Sequence, residues 1–329
     1  MSFQILTRKS KELILTDSYI PKSGMFGRYS FKKGKKIGGK EYTVQGPEFD
    51  NLITDTGLNS IGLTYPIAVL YVGTGTNVPA TTDTTMGAFL NSTSTVQSNT
   101  TTGPTAPDYI STRTWTFRFA EGAAAGNLTE VGVGTSSAGV TRGVFSRALI
   151  VDSNGQPVTF TVLSDEFLDV TYSLSFKPDQ NDYQSTVSLF DATGQSTTYT
   201  VTQRMCSIGT HVLFNNAAQE GIYSSTLYSG TGLILGATTA SGLGNSQATT
   251  STSNWAVSSY SPNSLKRTST LSLGLNDANM AFGLGGLNVS VYSTSTFAYH
   301  YKQLLITPPI QKNNTMSLTF GYEFSWGRA

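Results

Sequence analysis

Runs in which every second residue is apolar constrain the fold of this chain most strongly. In the run LDVTYSLSF (168–176) Leu, Val, Tyr, Leu and Phe alternate with Asp, Thr and Ser, and the run MSLTFGYEFSW (316–326) carries six apolar residues at alternate positions. Successive side chains point to opposite faces of a β-strand, whereas a helix repeats every 3.6 residues. Both runs therefore predict half-buried strands, and the second predicts a final strand docked in the core.

Composition extends this prediction to the rest of the chain. Charged residues make up only 12% and hydrophobic residues 38%, and much of the remainder is Ser, Thr, Gly and Asn rather than the Ala, Leu, Glu and Lys of helical proteins. Short strands separated by Gly, Asn and Pro turns are typical of sandwiches and jelly rolls. We predict an all-β fold of antiparallel β-sandwich or jelly-roll-like domains over residues 49–177 and 178–329. One short helix is predicted over residues 50–61, with Asp50 as its N-cap.

The N-terminal segment, residues 1–48, differs from the rest in charge. Residues 1–40 hold ten basic and two acidic residues, a net charge of +8, which leaves −7 for the other 289 residues. Blocks of like charge usually mark solvated or interacting tails. We predict an extended attachment arm whose contact residues are Lys32, Lys33, Lys35, Lys36 and Lys40. An acidic partner protein is favoured over nucleic acid, because the acidic body would repel phosphates.

Aromatic residues are concentrated in a stretch without charge. Residues 221–265 contain no Asp, Glu, Lys or Arg, whereas the exposed surface of a soluble monomer normally carries mixed charges. We expect part of this stretch to face another subunit. The candidate contact surface consists of Tyr223, Tyr228, Trp255 and Tyr260.

Reactive side chains are few. His211 and His300 lie far apart, Cys206 is the only cysteine, and the spacing matches no metal site. No strained Gly-x-Ser-x-Gly turn is present. Asp165, Glu166 and Asp169 form the densest acidic cluster, which suits either sugar cleavage or Ca²⁺ binding, but a solvated strand entry is the favoured interpretation. We predict no cofactor and no metal, and the lack of a long apolar run predicts no membrane insertion.

Five stretches together resemble structural proteins of tailed bacteriophages. They are NLITDTGLNSIG, YVGTGTNVPATTDTTMGAFL, WTFRFAEGAAAGNLTEVGVG, VFSRALIVDSNGQPVTFTVLSDEFLDVTYSLSF and the closing LTFGYEFSWGRA. The resemblance is best over residues 50–176 and the last dozen. It implies a non-enzymatic virion component, tail-associated or tail-fibre-like, made in the bacterial cytoplasm. The partners it implies are sister copies in a homo-oligomer, expected to be a trimer, other virion proteins, and a glycan or protein of the bacterial surface.

Two alternatives remain open at this point. A capsid-decoration, head-fibre or collar protein would use the same β modules, since fold does not decide placement. A polysaccharide depolymerase is the third reading, although such enzymes usually carry repeated β-helix rungs and no fixed repeat occurs in this sequence.

Overall fold

The computed structural model describes residues 3–7, 14–15, 22–63, 67–135, 143–190, 195–206, 221–237, 242–252, 255–292 and 300–329. Strands make up 60% of the chain and helix 3%. The all-β prediction is therefore confirmed, and so is the presence of one short helix.

The elements follow in chain order. The first strands are β1 (Phe3–Thr7), β2 (Ile14–Leu15), β3 (Lys22–Ile37), β4 (Lys40–Asp50) and β5 (Leu52–Ile53), and the helix α1 spans Asp55–Gly62. The middle strands are β6 (Ile67–Gly73), β7 (Phe89–Thr93), β8 (Val96–Thr105), β9 (Ile110–Phe119), β10 (Gly126–Leu128), β11 (Glu130–Thr135), β12 (Val144–Leu149), β13 (Phe160–Val162) and β14 (Phe167–Lys177). The last strands are β15 (Tyr183–Phe190), β16 (Ser196–Cys206), β17 (Gly221–Ser229), β18 (Ala248–Thr252), β19 (Trp255–Val257), β20 (Lys266–Leu273), β21 (Leu284–Tyr292), β22 (His300–Ile310) and β23 (Leu318–Arg328).

These strands form one large sheet and three smaller ones. The large sheet has nine strands in the order β19-β20-β23-β3-β14-β9-β8, with β1 paired to β23 and β4 paired to β3. A five-stranded sheet runs β5-β12-β11-β6-β7, a seven-stranded sheet runs β18-β17-β21-β22-β16-β15-β2, and β10 pairs with β13. Among the described strands, only β23 and β3 pair in parallel.

The large sheet covers both smaller many-stranded sheets. At one end β3 and β9 contact β5 and β7, and the hydroxyls of Tyr29 and Ser146 lie 2.7 Å apart across that layer. At the other end β19 and β20 contact β17, and the Trp255 Nε1–H donates to Ser225 Oγ at 3.1 Å. Two sandwiches therefore share one sheet.

The large sheet draws strands from all three segments of the predicted division of the chain. Strands β3 and β4 come from the predicted arm, β8, β9 and β14 from the predicted first domain, and β19, β20 and β23 from the predicted second domain. The boundaries at residues 48 and 178 do not separate independent sheets, because strand pairing joins segments that are distant in sequence.

The first run and most of the second occupy the core as predicted, but Met316, the first residue of the second run, is exposed and precedes β23. On β14 every apolar residue of the run is buried, and on β23 Leu318, Phe320, Tyr322 and Trp326 are buried. The indole N–H of Trp326 donates to the Leu58 carbonyl of α1 at 2.8 Å. The last strand therefore anchors the only helix of the described part of the chain.

The predicted cap of this helix is wrong by four residues. Thr54, not Asp50, caps α1, and its hydroxyl accepts a hydrogen bond from the Gly57 N–H at 2.9 Å. Asp50 instead ends β4 and accepts a hydrogen bond from Arg28 at 2.9 Å. Both residue types cap helices well, and only strand pairing decides between them.

A buried ion pair holds the loop between β6 and β7. Glu130 and Arg147 are 0% and 3% exposed, and Arg147 Nε donates to Glu130 Oε2 at 2.7 Å. Arg147 also donates to Asp83 at 2.8 Å. The Glu130 carboxylate further accepts hydrogen bonds from the backbone N–H groups of Gly75, Gly87 and Ala88. Side chains at Gly75 or Gly87 would collide with this pair, so the loop glycines permit the close approach.

Candidate functional site

From residue 22 onward the predicted arm belongs to a β-hairpin of the large sheet. Strand β3 pairs with β14 along residues 24–34 and with β4 along residues 28–37. Met25, Tyr29 and Phe31 are buried, so β3 belongs to the core and not to a separate arm. The alternation Met25-Phe-Gly-Arg-Tyr-Ser-Phe31 is the sequence signal for this strand, and the lysine run that follows it concealed the pattern.

Two glycines close the hairpin. Gly38 and Gly39 have φ values of +56° and +80°, which is the left-handed region that a two-residue type I′ turn requires at both central positions. The turn fixes the register, with Ile37 opposite Lys40, Lys35 opposite Tyr42 and Lys33 opposite Val44. We call residues 34–45 the hairpin tip.

The predicted attachment lysines meet the predicted acidic cluster. Lys32 Nζ lies 3.3 Å from Asp169, Lys33 Nζ 3.0 Å from Glu166, and Lys35 Nζ 2.7 Å from Asp165. We call these three pairs the lysine–carboxylate ladder. For these three lysines the structure provides acidic partners within the same chain, about 130 residues further on; an acidic partner protein stays a prediction. Asp165 is exposed at the entry to β14, as predicted for this cluster, whereas Glu166 and Asp169 are buried.

A second set of charges continues the ladder across the sheet. Arg118 donates to Asp169 at 2.6 Å and to Glu41 at 2.7 Å. Lys36, another predicted attachment residue, lies 3.6 Å from Glu41. Lys40 follows the turn and is exposed. Lys32, Lys36, Glu41, Arg118 and Asp169 therefore compensate one another on one face of the sheet. Lys33 and Lys35 lie on the opposite face of β3, where they meet Glu166 and Asp165.

Two carboxyls of the ladder, Asp165 and Glu166, have lowered pKa values. The Lys35 ammonium, which hydrogen-bonds Asp165, lowers the pKa of that carboxyl. Burial opposes ionisation of Glu166, but the Leu163 N–H and the Lys33 ammonium outweigh it, so the pKa of Glu166 is also lowered. Hydrogen bonds from Arg118 lower the pKa of Glu41. Such groups act as ion-pair partners and hold no proton at neutral pH.

The hairpin tip also exposes an apolar row that the sequence analysis missed. Ile37, Tyr42 and Val44 are 61%, 57% and 63% exposed. The strand register places all three on the same face of the hairpin, interleaved with Lys33, Lys35 and Lys40. The alternation Tyr42-Thr43-Val44 after the Gly-Gly turn is the signal that could have found it.

The predicted aromatic contact surface does not form on the described side chains. Tyr228 and Trp255 are 8% and 9% exposed, within the interior. Tyr260 is half-buried, stacks on Trp326 with ring centroids 5.7 Å apart, and donates to Asn59 at 2.9 Å. Tyr223 lies on β17, and its side chain is outside the described residues. Aromatic residues in a charge-free stretch serve here to fill the interior.

Part of the charge-free stretch covers the chain's own seven-stranded sheet. Gln303 on β22 exchanges two hydrogen bonds with the backbone of Gly236, at 2.7 and 2.8 Å. Leu243, from the same connection, is buried. Another subunit was expected to contact part of this stretch, but Gly236 and Leu243 are in contact with the same chain.

Reactive and metal-binding groups are not assembled in the part of the chain that can be described. No group of three or more His, Cys, Asp or Glu residues there is placed to hold a metal ion. His211 lies outside the described residues, as do the side chains of His300 and Cys206. No helix among the described residues is long and apolar enough to span a membrane.

Comparison of the chain with family models, with curated proteins and with solved structures finds no match.

Proposed function

We propose that this protein is a non-enzymatic structural component of a tailed phage virion, most simply a tail-associated protein of the fibre, tip or baseplate. It works by shape and by contact with sister copies and other virion proteins. Its site in this proposal is the hairpin tip, which replaces the extended arm predicted from the sequence. A glycan or protein of the bacterial surface is a further proposed partner.

One observation carries the proposal: the stretches that resemble phage proteins meet in the scaffold. Glu130 belongs to the third quoted stretch, Arg147 to the fourth, and Asp83 to the second. The three side chains form one network, in which Glu130 and Arg147 are buried and Asp83 is partly exposed. The last stretch supplies Trp326, which anchors the helix of the first. Residues used in this way build a rigid support, as a virion part requires, and the exposed apolar row lies at the edge of that support.

The pairing of the acidic cluster weighs against the depolymerase alternative. A glycosidase needs one carboxylic acid whose pKa is raised so that it can protonate the leaving oxygen. The pKa values of Asp165 and Glu166 are lowered, and both carboxylates are held by lysines. This arrangement favours a role in the scaffold.

Labelling of particles tests the proposal. Antibodies raised against the recombinant protein are applied to phage particles purified from the bacterium that carries the gene, and bound gold is located by electron microscopy. Label on tails supports the proposal, and label on heads with hundreds of copies per particle favours the decoration alternative. Unlabelled particles, from which mass spectrometry also recovers no peptide of this chain, would refute both.

A further inference from the structure

The outer edge of β4 has no partner strand among the described residues. Strand β4 pairs with β3 only, and residues 40–45 are all exposed. An exposed strand edge presents unpaired N–H and C=O groups that can pair with a strand of another chain. The hairpin tip therefore offers a template for strand addition.

Two edge strands of the large sheet, β4 and β8, differ in their protection. Strand β8 has register shifts at Val96/Ser98 and at Thr102/Thr105, and bulges of this kind discourage edge-to-edge pairing. Strand β4 pairs with β3 without a register shift from Lys40 to Gln45. It also exposes Tyr42 and Val44, which a protected edge would replace with charges.

The turn fixes which backbone groups point outward. In a two-residue turn the Lys40 N–H faces the Ile37 carbonyl, and the direction alternates along the strand. The backbone groups of Lys40, Tyr42 and Val44 therefore face β3. Those of Glu41, Thr43 and Gln45 face away from it and are available to a second strand.

We propose that the β4 strands of two copies of this chain pair antiparallel about a two-fold axis at Thr43. Thr43 then faces its own copy, Glu41 faces Gln45, and Tyr42 faces Val44 of the other chain. Outward groups meet outward groups, which gives about six backbone hydrogen bonds between the chains.

Side-chain chemistry supports this register. Tyr42 and the second chain's Val44 form non-hydrogen-bonded pairs, in which side chains approach most closely and an aromatic ring packs well on a β-branched residue. Glu41 meets an uncharged glutamine, and Lys40 meets Gly46, so no like charges lie opposite each other. Pro47 lacks an N–H and limits the pairing at that end.

The β4 pairing gives the proposed virion protein one specific contact between copies and a two-fold symmetry. Only the role of that contact in a virion rests on the proposed function. A two-fold pairing gives a dimer or a larger even-numbered assembly. This even number of chains differs from the trimer expected from the resemblance to phage proteins.

Light scattering after size-exclusion chromatography tests the contact with the full chain. Wild-type protein should show twice the chain mass of 35.1 kDa, or an even multiple of it. Since the contact is at the small end of specific interfaces, it should weaken on dilution over about a 100-fold concentration range. Thr43→Pro removes an outward N–H and leaves the β3 pairing intact, and it should halve the mass. Thr43→Ala keeps the N–H and should leave the mass unchanged.

Charge variants at the axis separate a fold defect from a lost contact. Thr43→Lys and Thr43→Glu each place like charges opposite each other across the axis, so each alone should be half the wild-type mass. An equimolar mixture should restore the wild-type mass, because Lys then faces Glu. A monomeric or trimeric wild type, a mass unchanged by Thr43→Pro, or a mixture that does not associate would overturn the inference. Particle labelling decides the proposed function separately, whatever the result at Thr43.

Discussion

Removal of Glu130 should destabilise the fold far more than removal of an exposed carboxylate. Glu130→Ala leaves the guanidinium of Arg147 buried with one of its two carboxylate partners lost, and it leaves three backbone N–H groups without their acceptor. Breaking a buried ion pair by deleting one partner costs roughly 3–5 kcal/mol. That loss is a large share of the ~5–15 kcal/mol by which domains are usually stable.

The exposed pair of Lys177 and Asp108 provides a matched control. Its side chains are 48% and 55% exposed and lie 2.9 Å apart. Exposed pairs of this kind contribute about 0–1 kcal/mol, so Asp108→Ala should change the free energy of unfolding by less than about 1 kcal/mol. Both variants are measured by urea unfolding, followed by circular dichroism and by tryptophan fluorescence.

A double variant tests the cause of the loss. Glu130→Leu/Arg147→Met removes both charges together and should be less destabilised than Glu130→Ala, because the desolvation penalty of both ions is removed with the pair. If Glu130→Ala costs no more than Asp108→Ala, the buried network does not hold the loop between β6 and β7. If the double variant is worse than the single one, the hydrogen bonds of Arg147 to Asp83 and to the Asn77 carbonyl stabilise the fold by more than its buried charge destabilises it.

Three further changes should have measurable effects on stability. Trp326→Ala deletes a fully buried indole and its hydrogen bond to α1. The variant should lose about 3–5 kcal/mol of unfolding free energy. A thermal midpoint equal to that of wild type would contradict the docking of β23. Gly39→Ala forces a side chain into φ +80° and should cost about 1 kcal/mol, while Lys40→Ala next to it should be nearly neutral in the same urea titration. The lowered pKa of Asp165 implies stability that is present above its unfolded value of about 3.9 and is lost as pH falls through the lower folded value. Wild type should therefore be more stable than Asp165→Asn at pH 7 and should lose that advantage by about pH 2. An advantage that grows on acidification would contradict a lowered pKa for Asp165.

The sequence by itself determined the elements whose evidence is local. Period-two alternation predicted β14 and β23 with their buried faces, because the face to which a side chain points follows from its position along one strand. A candidate N-cap residue predicted one short helix. The predicted cap was wrong because Asp50 and Thr54 are both residue types that cap helices, and Asp50 is the last residue of β4, paired with Arg28.

Only the tertiary structure decided which segments became neighbours. The lysine run and the acidic cluster are about 130 residues apart, and the pairing of β3 with β14 turned two presumed surface features into the lysine–carboxylate ladder. Other contacts between distant segments placed Trp255 against Ser225 of β17, while Tyr42 and Val44 of β4 are exposed. The charge or apolarity of a segment does not reveal which other segment it will contact. That depends on pairing between distant strands, because burial of the whole core offsets the conformational entropy lost when they come together.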